Sequence, residues 1–173
     1  MHLKRLAVIG LITLTAAAAQ VQSAPPAAPA PPAATAPLPI SLALKAAKVA
    51  LTMCVDQGYR PTVTVTDREG VARVVLVADG ADPVSIIASR RKAYTAAALG
   101  VSTVDLGKSV AATGFDLKMI DAQLITFGGG YPILRGSVVI GAIAVGGADR
   151  DNGDAPNMAC AQAGLAAIKN ELR

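Results

Sequence analysis

Few residues of this 173-residue chain carry side chains able to do chemistry, and they fall in four places. Arg90, Arg91, Lys92 and Tyr94 crowd one stretch, and Gly128-Gly129-Gly130-Tyr131 forms another. Asp149-Arg150-Asp151-Asn152-Gly153-Asp154 is a third, and Cys54 and Cys160 are the two cysteines. Arg91 or Lys92 could pair with the carboxylates of an anionic ligand through charge-assisted hydrogen bonds. The plainer alternative is a cation that snorkels and pairs with a protein carboxylate. The backbone N–H groups around Gly129 and Gly130 could cradle an anion or admit a flat ligand, or the triplet could simply supply a turn with positive φ. No helix is expected directly after it, which removes a phosphate-loop reading. Tyr131 could meet a ferric iron through its phenolate oxygen, or only pack at the start of a strand.

Two other chemistries are excluded. Counted from Asp149, a calcium-loop register would place Gly153 and Cys160 where oxygen ligands are required, so no metal site is expected. The sole histidine is His2, within a segment read as removable. A mature chain without histidine cannot build a Ser-His-Asp or Cys-His set, and no catalytic residue is proposed.

The elements that position these groups follow from composition and pattern. Residues are 53% hydrophobic, 16% charged and 3% aromatic, with a formal net charge of +4. Lys4 and Arg5 precede an uncharged apolar run, Leu6–Ala19, too short to span a bilayer and suited to a secretory signal. Residues 1–23 are therefore read as a signal peptide, cleaved after Ala19 or Ser23. Without Lys4 and Arg5 the charge is too mild for a nucleic-acid surface, and no membrane insertion is expected after signal removal. Residues 24–39 hold seven of the eleven prolines and read as a Pro/Ala-rich linker. Residues 40–173 form the domain, in a periplasmic or secreted protein.

Ser41 can cap a helix to about Gln57 with an apolar stripe of Leu44, Ala47, Leu51, Cys54 and Val55. Alternation over Thr62–Asp67 and the run Val71–Ala78 predict a hairpin with half-buried strands. Asp82 and Pro83 start a second helix that stops at Gly100, with Val84, Ile87, Arg91, Tyr94 and Ala98 on one stripe. Residues 101–118 read as irregular, with a short helix near Phe115–Ile120. Gln123–Phe127 reads as a strand, and Tyr131–Arg135 pairs with Val138–Val145 through a type II′ turn at Gly136-Ser137. Asp154 caps a last helix over Ala155–Leu172, with Cys160 off its Met158/Ala161/Leu165/Ile168 stripe. The class is α+β: a five-stranded antiparallel sheet with helices packed on it. Two cysteines in an exported chain read as a disulfide or as two buried thiols.

Four ordered segments resemble the GlcG/HbpS-like family, also called the haem-degrading domain family. They are Val65-Thr66-Asp67-Arg68-Glu69-Gly70; Asp79-Gly80-Ala81 with Lys92-Ala93-Tyr94-Thr95-Ala96; Gly129-Gly130-Tyr131-Pro132-Ile133; and Gly141-Ala142-Ile143-Ala144-Val145-Gly146-Gly147-Ala148. The chain is also similar to the C-terminal domain of PduO-type proteins. The resemblance implies a profilin-like or PAS-like fold, a homo-oligomer, and haem or a related tetrapyrrole as cofactor. In such folds the terminal helices can lie side by side, which would let Cys54 reach Cys160. Many members read Asp-x-Gly-Gly-His at the first turn, whereas here the histidine position holds Val71. The expected function is a small-molecule-binding protein with ligand contacts among Arg91, Lys92, Tyr94, Gly129, Gly130 and Tyr131. The alternatives are a structural or sensory oligomeric module, or an enzyme acting on haem or a small organic acid.

Overall fold

Two opposite faces of one sheet are packed by different chemistry. The computed structural model describes residues 36–148 and 153–172. The expected signal peptide, residues 24–35 of the expected linker, and the acidic loop at Asp149–Asn152 lie outside the described residues. Helix α1 spans Ile40–Asp56, strands β1 and β2 Thr62–Asp67 and Ala72–Val77, and helix α2 Pro83–Leu99. Helix α3 covers Thr103–Thr113, strands β3 and β4 Gly130–Arg135 and Val138–Gly146, and helix α4 Ala155–Ile168. The sheet is antiparallel with strand order β2-β1-β4-β3.

The α+β class holds, with four strands among the described residues where five were expected. Gln123–Phe127 does not join the sheet. Side chains of α2 take its backbone groups instead: Arg91 donates to the carbonyls of Ala122 and Gln123, and the Ile125 N–H donates to Thr95 Oγ1. The apolar run therefore lies along a helix rather than a strand.

On one face, Val63 and Val65 of β1, Ile133 of β3, and Ile143 and Val145 of β4 form the core with α1 and α4. The expected stripe of α1 is displaced. Its buried residues are Leu42, Ala43, Ala46, Ala47, Ala50 and Cys54, while Leu44 and Val55 are exposed. Space decides this, since a Cβ on Gly164 of α4 would lie 2.5 Å from the Ala46 carbonyl oxygen and 3.0 Å from the Ala50 methyl. Only small residues let the two helices approach so closely. Cys160 also lies on the buried face of α4, with Asn157, Ala161 and Gly164, rather than off its packing stripe. A disulfide joins Cys160 to Cys54, with Cα atoms 5.7 Å apart. The start of α1 moves as well: Pro39, not Ser41, is its N-cap, and buried Leu38 fixes the chain's entry.

The other face carries Thr62, Thr64 and Thr66 of β1, Ala142, Ala144 and Gly146 of β4, and Gly130 of β3. Helix α2 seats there on small and polar side chains, Ser85, Ser89, Lys92, Ala93 and Ala96. The stripe predicted by hydrophobicity points outward, with Val84 67% and Ile87 60% exposed. Thr62 and Thr64 are fully buried rather than half-buried, because their hydroxyls pair with Ser85 and Ser89 at 2.7 and 2.9 Å. The helix boundaries themselves match local chemistry: Asp82 accepts from the Val84 N–H, and Gly100 ends α2 at φ 68°.

The stretch read as irregular contains α3, capped by Ser102, whose hydroxyl accepts from the Asp105 N–H. Leu117–Met119 is a single 3₁₀ turn in place of the expected short helix. After Ile168 the last helix tightens into a 3₁₀ turn over Lys169–Glu171. Gly136, at φ 61°, makes the expected two-residue hairpin turn with Ser137.

Candidate functional site

The expected ligand residues do not converge; they divide among three places. Lys92, Gly129 and Gly130 meet under α2. Lys92 is 1% exposed, donates from Nζ to the Val145 carbonyl at 3.3 Å, and stands 3.9 Å from Asp154 Oδ1. Burying an ammonium is tolerable only with such partners. The glycine loop closes on protein rather than on a ligand. Gly128 N–H donates to Asp154 Oδ2 at 2.6 Å and Gly130 N–H to Thr103 Oγ1 at 3.0 Å. Cβ atoms on Gly129 and Gly130 would sit 2.8 Å from Asn157 Cβ and 2.6 Å from the Lys92 carbonyl oxygen. Absence of a side chain there serves close packing, and Asp154, expected only as a cap, spends its carboxylate on this loop.

Arg91 and Tyr94 lie on the other side of α2. Arg91 binds the Ala122 and Gln123 carbonyls, and the Tyr94 hydroxyl donates to Asp121 Oδ2 at 2.7 Å. That bond, with burial and then the carboxylate's charge, raises the Tyr94 pKa; the same bond, with the Gln123 N–H, lowers that of Asp121. The Tyr94 ring covers Gly70, where a Cβ would meet it at 2.5 Å. Val71 is 59% exposed beside this turn. Thr64, Thr66, Gly70, Arg90, Arg91, Tyr94 and Gln123 line an open pocket of about 230 Å³.

Tyr131 lies on the opposite, α4-facing side of the sheet, packed against the main core. Its hydroxyl accepts from Gln162 Nε2 at 3.1 Å. Burial raises its pKa, Asp105 raises it further, and the Gln162 bond opposes both. Gln162 also lines a groove of about 740 Å³ between the β3 edge and the end of α4. Pro132, Leu134, Leu165 and Leu172 give that groove an apolar wall, and Arg135 and Lys169 place cations on it. Arg135 Nη1 also donates to the Ala36 carbonyl at 2.7 Å, tying the start of the described chain to the groove. Sequence reasoning missed the groove, because its polar members sit on two elements far apart in the chain. The signal available was a cation at each, Arg135 before the hairpin turn and Lys169 in the last turn.

Residues 38–166 match the family described as haem-degrading protein, HbpS-like. The chain belongs to this family. The HbpS-like resemblance read from the four segments is thereby shown. A crystal structure of HbpS is 30% identical and superposes with a TM-score of 0.68 over 75% of this chain and 89% of that one. A double mutant of HbpS from Streptomyces reticuli is 28% identical, with a TM-score of 0.69 over 87% and 97%. A PduOC complex with heme is 26% identical, with a TM-score of 0.68 over 76% and 95%. A search of curated proteins finds no match. Among the described residues no group of three or more metal-binding side chains occurs, and no helix is long and apolar enough to cross a membrane.

Proposed function

We propose that this family member is an exported small-molecule-binding protein that takes haem or a related tetrapyrrole in the groove between β3 and α4. The observation that carries this reading is the groove's combination of size, apolar wall and paired cations. Its volume of about 740 Å³ falls within the roughly 300–1,000 Å³ of ordinary ligand pockets. Leucine and proline side chains suit a flat hydrocarbon face, and Arg135 and Lys169 suit two carboxylates. The heme complex of the similar PduOC supports the ligand class.

Haem, if bound, would supply an iron open to coordination by a protein oxygen. Val71 has no atom for that role, and Tyr131, held beside the groove by Gln162, is the candidate for it. Burial, then Asp105, move the phenol's pKa further above its ordinary value, so recruiting its oxygen would require loss of a proton. Lys92, Gly129 and Gly130 leave the ligand set, being committed to internal contacts. The reading extends to a periplasmic or secreted location and to a homo-oligomer, supported by the apolar run at residues 6–19 and the outward Val84 and Ile87.

Hemin titration of the purified protein, followed at the Soret band, tests the proposal. A saturable, shifted band is expected. Lys169→Gln should weaken binding about tenfold, the value of one charge-assisted contact. Tyr131→Phe should alter the band's position. A Soret band that behaves as in buffer would refute haem binding and leave the oligomeric module as the reading. Sequencing the exported protein's N-terminus should find Gln20 or Ala24 first; retention of Met1 would refute export by cleavage.

A further inference from the structure

The described chain begins at the edge of the groove between β3 and α4. Arg135, on the groove wall, donates from Nη1 to the Ala36 carbonyl at 2.7 Å. Two residues later Leu38 is buried in the main core, so the chain is held on both sides of Pro37. Pro31-Pro32-Ala33-Ala34-Thr35 immediately precedes this anchor. The segment that leads into Ala36 therefore starts within one residue of a groove of about 740 Å³.

Groove and segment are complementary in hydrogen bonding. The side chains of Arg135 and Lys169 can only donate, and Gln162 has a second amide N–H besides the one given to Tyr131. Proline keeps its carbonyl and has no N–H, so Pro31 and Pro32 bring acceptors without donors that need partners. The bond from Arg135 to Ala36 is already one contact of this kind. Leu134, Leu165 and Leu172 offer the proline rings an apolar wall. The lengths agree as well. From Pro132 to Gly136 the strand advances about 13 Å at roughly 3.3 Å per residue. From Gln162 to Lys169 the helix advances about 10 Å at roughly 1.5 Å per residue. Five residues in polyproline geometry reach about 15 Å at roughly 3.1 Å each.

We propose that residues 31–35 occupy this groove in the ligand-free protein, as a built-in occupant that an incoming ligand must displace. The segment is joined to the groove wall through Ala36, so its effective concentration there is roughly millimolar, and contacts too weak to hold a free peptide suffice. A segment docked about nine-tenths of the time lowers the apparent affinity of a competing ligand about tenfold. The docking does not depend on what that ligand is; only the competition with hemin rests on the tetrapyrrole reading.

The test is ¹⁵N relaxation on the purified protein with its linker intact, which reads the amides of Ala33, Ala34 and Thr35 directly. Order parameters near the rigid-backbone value of about 0.85 are expected, against under about 0.6 for a free tail. Leu134→Thr, at a wall position 41% exposed, should bring all three below about 0.6. Replacing residues 31–35 with Gly-Ser-Gly-Ser-Gly should shift the amides of Gln162 and Leu165 and tighten hemin binding about tenfold. Low order parameters in the wild type, no loss of order in Leu134→Thr, or unmoved Gln162 and Leu165 amides would each overturn the docking. Order that grows with protein concentration would overturn it too, by assigning the groove to a second copy. Hemin that binds both forms equally well would overturn the displacement. An ordered segment with hemin binding to neither form would refute the tetrapyrrole reading and uphold the docking.

Discussion

Replacing both bridging cysteines, Cys54→Ala with Cys160→Ala, removes a cross-link whose effect can be worked from its position. The two residues are 106 apart in sequence, so the bridge closes nearly the whole domain into one loop. In the chain-entropy description the loss on opening a loop of that length is about 5 kcal/mol at 25 °C. Both cysteines are fully buried between α1 and α4, and Ala46, Ala50 and Gly164 beside them leave little room for rearrangement. The lost sulfur contacts therefore add to the entropic term rather than offset it. Urea unfolding of the oxidised wild type and the double variant should differ by about 5 kcal/mol or more, a large part of a domain's usual stability. The corresponding fall in Tm is roughly 10–20 °C. Because neither sulfur is reachable by solvent, reductant alone should leave the wild type oxidised, and reduction should begin only where unfolding begins. A difference under about 1 kcal/mol, or rapid reduction of the native protein, would refute the reasoning.

Three further outcomes follow from the same packing. Gly130→Ala places a methyl 2.6 Å from the Lys92 carbonyl oxygen and should cost roughly 1–3 kcal/mol or more in urea unfolding; a neutral effect would mean that α2 is not seated as described. Thr66→Val should raise stability by roughly 1–2 kcal/mol by removing an unbonded buried hydroxyl, and a lower Tm would contradict that. Tyr94→Phe should narrow the pH range of maximal stability. Asp121 is depressed in the fold, so its contribution is present above about pH 4 and fades as pH falls through its folded value. Tyr94 is raised, so its contribution is present below about pH 10 and fades as pH climbs through its folded value. Denaturant midpoints across that range that match between variant and wild type would show the bond to be inert.

Local signals in the sequence were legible wherever a few adjacent residues decide the outcome. Asp82-Pro83 and Gly100 bracket α2 because a cap, a preset φ and a left-handed stop act within one turn. The hairpins were legible for the same reason, through Gly70 and Gly136. The face of α2 was not, since periodicity assumes that the more apolar stripe is buried. Here the sheet presents glycine, alanine and threonine, and Ser85 and Ser89 fit that surface where Val84 and Ile87 would not. The false strand at Gln123–Phe127 is settled by groups outside the window, because Arg91 and Thr95 hold its backbone. Gly107 lies within α3, where a Cβ would come 3.1 Å from the Thr126 carbonyl oxygen. The Ser102 cap and Gly114 stop were available signals for α3. At the candidate site the residue types were readable and their assembly was not. Lys92 and Tyr131, close to the same motifs, are separated by the thickness of the sheet.

The asymmetry between the two faces sets where this protein opens first. The α1–α4 side is cross-linked and filled with branched aliphatics, so its amide protons should exchange only with global unfolding. The α2 side rests on hydroxyl pairs and alanines, which bury little hydrocarbon per residue. Helix α2 is thus the layer able to lift as a unit while the rest stays folded. Such an excursion would bring Lys92 and Gly130 to water together, giving an ammonium that is sealed in the ground state a brief and cooperative exposure.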